Sequence, residues 1–354
     1  MSSIKEIAKL AEVSLTTASI VINGKGDQYR ISAQTQQRIL EAARTLNYRP
    51  NISARRLRSE GETVSPVLAL FWTLDTRASL IGPFLKGVQL GMRSLDSEYE
   101  LLIQPYVSSK INEVNSLLTG TRFNGAIIAN ASEEDERFLN DAQINVPIVL
   151  YQRNSDKYCS VNVDNYRTGQ EVMRLFHSRG HNRIGLISPD ISSRAIRNRK
   201  EGFLDTVKLY GISVDPDHIA EDEFSEEGGY QAAKRVLDSK ERPTAIFVLS
   251  DQMAVGALLA LREHGIEVPR DIEIVGHDNY ENARFAVPPL TTVNLPVAEM
   301  AAASVQMLAK LLRHEIQPAV SQMFQPYLVV RDTCGGFLSG EKSVLQAERI
   351  DLNI

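Results

Sequence analysis

Ile4-Lys5-Glu6-Ile7-Ala8-Lys9-Leu10-Ala11-Glu12-Val13-Ser14-Leu15-Thr16-Thr17-Ala18-Ser19-Ile20-Val21-Ile22-Asn23 is the most informative stretch of this chain. It reads as two short helices joined by a tight turn at Glu12-Val13. Ser3 with Glu6 three residues on has the spacing of a capping box, and Ser14 opens the second helix in the same way. On that helix Thr16, Thr17 and Ser19 make a polar face, while Val21 and Ile22 turn inward. An ordinary helical hairpin has this spacing. So does a helix-turn-helix, whose second helix carries short polar side chains into the DNA major groove.

The flanking sequence separates the two. Ser32 begins a third helix with Ile39, Leu40, Ala43 and Leu46 at helical spacing, stopped by Asn47-Tyr48-Arg49-Pro50. Residues 1–60 carry ten basic and five acidic side chains, a net +5, leaving 29 basic and 39 acidic for the rest, a net −10. A basic head on an acidic body suits a protein that meets phosphate at one end. Asn51-Ile52-Ser53-Ala54-Arg55-Arg56-Leu57-Arg58 follows, too short to hold a helix alone in water. It is either a solvated linker or a hinge that turns helical on DNA, with Arg55 and Arg56 on phosphates and Leu57 as a minor-groove wedge.

Residues 4–57 resemble the headpiece of the lactose-repressor (LacI/GalR) family of bacterial transcription regulators. The resemblance rests on Ile4-Lys5-Glu6-Ile7-Ala8, Val13-Ser14, Val21-Ile22-Asn23, Leu46-Asn47-Tyr48-Arg49-Pro50-Asn51 and Ala54 with Leu57, and it continues to about Gly336. It implies that Leu15, Thr16 and Ile20 read bases, with Thr17, Ser19 and Asn23 on the same DNA-facing surface. Thr16 can hydrogen-bond a base edge, whereas Leu15 and Ile20 can only pack on thymine methyls or sugars. DNA shape then carries part of the recognition. The loop Gly24–Arg30 is longer than in many members and is similar to that of the fructose-type catabolite regulators. Lys25 and Arg30 could add phosphate contacts there.

Beyond the Gly61–Pro66 linker the rhythm changes. Apolar runs of strand length occur at Val67–Phe71, Ala126–Ala129, Ile148–Leu150, Ile184–Ile187, Ala245–Val248 and Ile272–Val275. Helix-like segments lie between them at Phe84–Leu95, Gly169–Arg179, Glu227–Leu237 and Asp251–His264. This alternation predicts parallel sheets covered on both faces, and about 280 residues suit two lobes better than one. The expected fold is therefore an all-α helix-turn-helix head plus an α/β two-lobed, periplasmic-binding-protein-like (type I) effector domain. The expected boundaries are 1–50 for the head, 51–63 for hinge and linker, 64–340 for effector binding and dimerisation, and 341–354 for a tail. The resemblance puts the passages between lobes near Asn162, Leu290–Val293 and Phe324–Pro326.

In such modules small ligands sit at the carboxyl ends of the strands, in the cleft between the lobes. Gln152 and Arg153, Asp164 and Asn165, Ser250 and Asp251, and Asp278 and Asn279 each follow an apolar run. Arg199 lies at the start of the Gly202-Phe203 helix. The family's effector contacts fall on Gln152, Arg199, Ser250 and Asp278, and Arg199 with Asp278 could grip neighbouring hydroxyls or a carboxylate. Asp251 reads more simply as a helix cap, and Asp164 and Asn165 as turn residues. Trp72 is either an aromatic plate for a sugar face or ordinary packing; Phe71 reads as core. Gln152, Ser250 and Leu295 replace residues of the lactose-type site, so the ligand does not transfer. A sugar or phosphosugar is the expectation.

No cofactor, metal or catalytic set is expected. His177 and His181 have the spacing of a helical metal pair, but Gly180 interrupts that helix. Glu226-Glu227 reads as a solvated helix start, and no Ser/His/Asp motif is present. Two cysteines, Cys159 and Cys334, argue against a disulfide framework. The absence of a signal peptide or membrane-length apolar run points to the cytoplasm. The reading is a ligand-controlled repressor, a homodimer on near-palindromic operator DNA, with Phe84–Leu95 and Ile111–Leu118 as pairing surfaces. A solute-binding protein without regulatory role is the alternative, disfavoured by the basic head, and an enzyme on the same fold would need an acid–base or nucleophile set.

Overall fold

The computed structural model describes residues 4–22, 24–46, 48, 65–73, 75, 81–120 and 122–336. Ser3, Asn23, the hinge residues Arg55, Arg56 and Leu57, and everything after Gly336 lie outside the described residues.

The head contains α1 (Ile4–Leu10), α2 (Leu15–Ile22) and α3 (Ala33–Thr45). Glu12 takes φ +51° in the first turn, which lets the Val13 amide bond back to Ala8. Ser14 Oγ then accepts from the Thr17 amide at 3.0 Å, and Ser32 Oγ accepts from the Thr35 amide at 3.2 Å. Both are N-caps of the kind the serines announce. Ile7, Ala8, Ala11, Ala18, Val21, Ile22, Ile39 and Ala42 form a small buried core. It holds three short helices that would not persist separately.

The chain divides into two compact units, Met1–Val161 with Ala301–Ser321, and Asn162–Met300 with Gln322–Ile354. The strands are β1 (Val67–Thr73), β2 (Glu100–Tyr106), β3 (Gly125–Ile128), β4 (Ile148–Tyr151), β5 (Cys159–Val163), β6 (Ile184–Pro189), β7 (Ile219–Asp222), β8 (Ala245–Val248), β9 (Glu273–Asp278), β10 (Thr291–Asn294), β11 (Ser321–Phe324) and β12 (Tyr327–Val329). One sheet has the order β11-β5-β4-β3-β1-β2 and the other β12-β10-β9-β8-β6-β7. The six predicted apolar runs lie in or overlap β1, β3, β4, β6, β8 and β9. Beta-2, β7, β11 and β12 are the four edge strands, and each has solvent-facing positions. An edge strand is covered on fewer sides, so no continuous apolar run marks it.

The chain passes between units at 161/162, 300/301 and 321/322. The first matches the expected Asn162. The second falls later than Leu290–Val293, because Thr291–Asn294 still pairs with β9 in the second sheet. The third is close to expectation, since β11 ends at Phe324 in one sheet and β12 starts at Tyr327 in the other.

The remaining helices are α4 (Ile81–Arg93), α5 (Asn115–Thr119), α6 (Glu133–Asp141), α7 (Asn165–Ser178), α8 (Arg194–Leu209), α9 (Glu226–Leu237), α10 (Asp251–Glu263), α11 (Glu281–Phe285) and α12 (Val297–Leu312). In the second unit α7 and α8 touch backbone to backbone. A Cβ on Gly169 would lie 2.1 Å from the Arg199 carbonyl oxygen, and one on Gly202 would lie 2.0 Å from that of Tyr166. Only glycine permits this approach. Phe176, Phe203, Phe247 and Val275 fill one face of the second sheet, and Ile187, Val236, Leu261 and Ile274 the other.

Candidate functional site

The head presents α2. Ala18, Val21 and Ile22 are buried and fix the helix, whereas Leu15 is 51% exposed and Thr16 is exposed. Ser19 and Ile20 are partly exposed. Thr17 is partly buried, and its hydroxyl pairs with Ser14 Oγ at 2.7 Å, so it supports the cap as well as flanking the open face. The loop after α2 is pinned by Gln36, whose Nε2 donates to Asp27 Oδ1 and the Ile31 carbonyl, each at 2.8 Å. Lys25, Tyr29 and Arg30 project from it into solvent.

In the second unit the carboxyl ends of β8, β9 and β10 gather a polar cluster. Arg199 is 3% exposed. It lies on the second turn of α8, which starts at Arg194, and not at a helix start as expected. Its two terminal nitrogens donate to the Leu249 carbonyl and to Asn165 Oδ1, both at 2.8 Å. Its Nε is buried without a hydrogen bond. Burial pulls this guanidinium down to about 10, against the pull of Asp278 and then Asp251, so it is charged at neutral pH.

Asp278, 9% exposed, ends β9 beside Asn294 of β10. Its Oδ1 lies 2.8 Å from His277 Nδ1. Burial, and secondarily Arg199, brings the His277 ring down to about 4. A neutral ring at this distance from a carboxylate oxygen donates from Nδ1. Asn279 donates to Asn294 Oδ1 at 2.8 Å and accepts from Arg331 at 2.6 Å.

The cap of α10 is Ser250 and not Asp251, the Ser250 hydroxyl accepting from the Gln252 amide at 3.2 Å. Asp251, expected as the cap, is fully buried and accepts from Thr292 Oγ1 at 2.6 Å and the Tyr280 amide at 3.0 Å. The helix starts at Asp251 as the sequence suggested, but with Ser250 as its cap Asp251 is the first helical residue and turns inward. Burial first, and the Asp278 charge second, raise its carboxyl well above the usual range. Asp164 caps α7, accepting from the Arg167 amide at 2.9 Å, while Asn165 turns to Arg199.

In the first unit Trp72 is the penultimate residue of β1 and is 5% exposed, its ring edge-on to Phe84 at 5.2 Å. Phe84 in turn meets Tyr151 at 4.8 Å. Packing is thus one role of Trp72. Gln152 follows β4 with φ +56°, its amide bonded to the Val161 carbonyl at 2.8 Å. Arg153 is buried, donates Nε to the Ala131 carbonyl at 2.7 Å and lies 3.1 Å from Glu136 Oε1.

Sequence reading brought Arg199, Ser250 and Asp278 to one edge and missed what joins them. His277 precedes Asp278, and Thr292 lies in an apolar-poor strand. Only the three-dimensional arrangement ties these to the cluster. His177 stacks on Tyr210 at 3.7 Å, and His181 Nδ1 pairs with Thr244 Oγ1 at 2.9 Å, so the two rings serve different contacts. Among the described residues, no group of three or more His, Cys, Asp or Glu is placed to hold a metal, and no helix is long and apolar enough to cross a membrane.

Residues 3–51 match the family described as bacterial regulatory proteins, lacI family, and residues 173–334 match a periplasmic binding protein-like domain. The probable HTH-type transcriptional repressor ExuR of Bacillus subtilis (strain 168) is 30% identical over 339 residues, 94% of this chain and 98% of that protein. A LacI family transcription regulator from Clostridium acetobutylicum is 34% identical with a TM-score of 0.72, covering 75% of this chain and 100% of that one. The lac repressor dimer bound to operator and the anti-inducer ONPF is 25% identical with a TM-score of 0.69, covering 94% of this chain and 99% of that one.

Proposed function

This chain belongs to the lacI family of bacterial regulatory proteins, and from that premise we propose that it is a repressor whose grip on operator DNA is set by a sugar or phosphosugar. It is a DNA-binding transcription regulator with a helix-turn-helix head and a periplasmic-binding-protein-like α/β part. Operator bases are read by Leu15, Thr16 and Ile20, flanked by Thr17, Ser19 and Asn23. Arg55, Arg56 and Leu57 supply phosphate and minor-groove contacts.

One observation carries the effector reading: a buried, charged Arg199 stands with Asp278 and Asn165 at the carboxyl edge of a parallel sheet. Buried charges are expensive unless they are used, and an arginine–carboxylate set suits a polyhydroxylated ligand. Ser250 supports this edge as a cap, and Gln152 and Trp72 occupy the carboxyl edge of the first unit's sheet. The protein binds its effector without transforming it. It acts as a cytoplasmic homodimer on a near-palindromic operator. Phe84–Leu95, mostly on α4, and Ile111–Leu118 are its pairing surfaces, with Leu90 and Leu118 exposed on them.

Thermal-shift screening of the full chain against neutral hexoses, hexuronates and hexose phosphates identifies the effector class. Operator selection followed by gel shift then gives the DNA site. Arg199→Ala and Asp278→Ala should keep operator binding and lose the thermal shift. A variant that responds like the parent removes that residue from the site.

A further inference from the structure

This inference rests on Asp278 being an effector residue. Consecutive side chains on a strand point to opposite faces, yet His277 and Asp278 meet, Nδ1 to Oδ1, at 2.8 Å. The backbone of Asp278 makes this possible. Its φ is +114°, and that of Asn279 is +56°. Side-chain-bearing residues rarely take such values, and where they do the surroundings hold them there.

His277 is fully buried, and its Nε2 makes no hydrogen bond. A phenyl ring would fill the same space without leaving a polar atom unpaired, so the imidazole needs another justification. That justification lies at the other nitrogen. Because an ionised carboxylate only accepts, a neutral ring carries its hydrogen on Nδ1, facing Asp278 Oδ1. The nearby charge of Arg199 disfavours a second positive charge on the ring.

We propose that His277 is a positioning residue for effector recognition. Its Nδ1–H draws the Asp278 carboxylate out of the strand's natural direction, keeps Oδ1 occupied and leaves Oδ2 to accept from a ligand hydroxyl.

The first test is 15N NMR of the histidine-labelled full chain, with the His277 signal assigned by His277→Phe. At neutral pH His277 should be the Nδ1–H tautomer, and Asp278→Ala should shift it toward Nε2–H. An Nε2–H tautomer in the parent chain overturns the proposal. The second test is hydrogen exchange at the Asn279 and Tyr280 amides. His277→Phe should speed it by about tenfold or more. His277→Asn, whose Nδ2–H takes the place of Nδ1–H, should return it to within about twofold of the parent. Equal acceleration in both variants means that the ring only fills space, and the proposal fails. Neither measurement uses a ligand, so an Asp278 irrelevant to effector response would emerge in the sugar screen and leave these results untouched.

Discussion

At the level of single residues, the chemistry of the effector edge is a matter of burial. His277 titrates near 4 in the folded chain against 6.5 when free. Between those values the unfolded chain takes up a proton that the folded chain refuses, so the unfolded state gains as pH falls. The histidine's contribution is complete above about pH 6.5 and is lost on the way down to about pH 4, on the order of 3 kcal/mol in all. Asp251, raised by burial, acts in the opposite sense, so the informative quantity is a comparison. Urea unfolding of the parent and His277→Phe should show the parent losing stability relative to the variant as pH drops through that window; parallel pH profiles would contradict this. On the head, Thr16 is the exposed hydroxyl of α2. Thr16→Ala should relax base preference at one operator position by roughly 1 kcal/mol or more while leaving the salt dependence of binding unchanged, as a competition gel shift would read. Asp278 drew notice in the sequence because a charged residue stood directly after an apolar run, and Arg199 only because it matched a family pattern. The Asn165–Arg199 bond was not, since 34 positions separate its partners, and a serine beside an aspartate does not reveal which of them caps.

Elements were legible in proportion to how completely they are covered. Beta-8 is apolar at all four positions and buried throughout, and its limits were read to the residue. Beta-10 is just as central, but it is Thr291-Thr292-Val293-Asn294, and its hydroxyls are satisfied by Arg331 and Asp251. Hydrophobic periodicity cannot register a strand stabilised in that way. The close crossing of α7 and α8 is equally silent in one sequence, because a glycine within a helix usually signals weakness. Here it sets where Arg199 stands. Gly169→Ala should force the two backbones apart at 2.1 Å, costing about 1–3 kcal/mol of stability. It should also weaken sugar-induced stabilisation more than Leu209→Ala, an exposed change on α8, the helix that carries Arg199. Thermal melts with and without the identified sugar distinguish a moved arginine from a general loss of stability.

Over the whole molecule, charge is divided where function is divided, +5 in the first 60 residues and −10 in the remainder. Operator retention should therefore fall linearly on a log–log plot against salt, with a slope of about −0.9 for each phosphate neutralised. Sugar binding should barely move over the same range, which fluorescence titration in two buffers would check. The threading of the chain has a consequence for synthesis. Residues 301–321 belong to the first unit and residues from 322 onward to the second, so neither is one continuous stretch. A ribosome making this protein cannot finish one unit before starting the other; both await residues beyond 300. A premature stop near codon 320 would thus remove β11 and β12 together and leave β5 and β10 as bare edges of the two sheets, open to pairing with another chain.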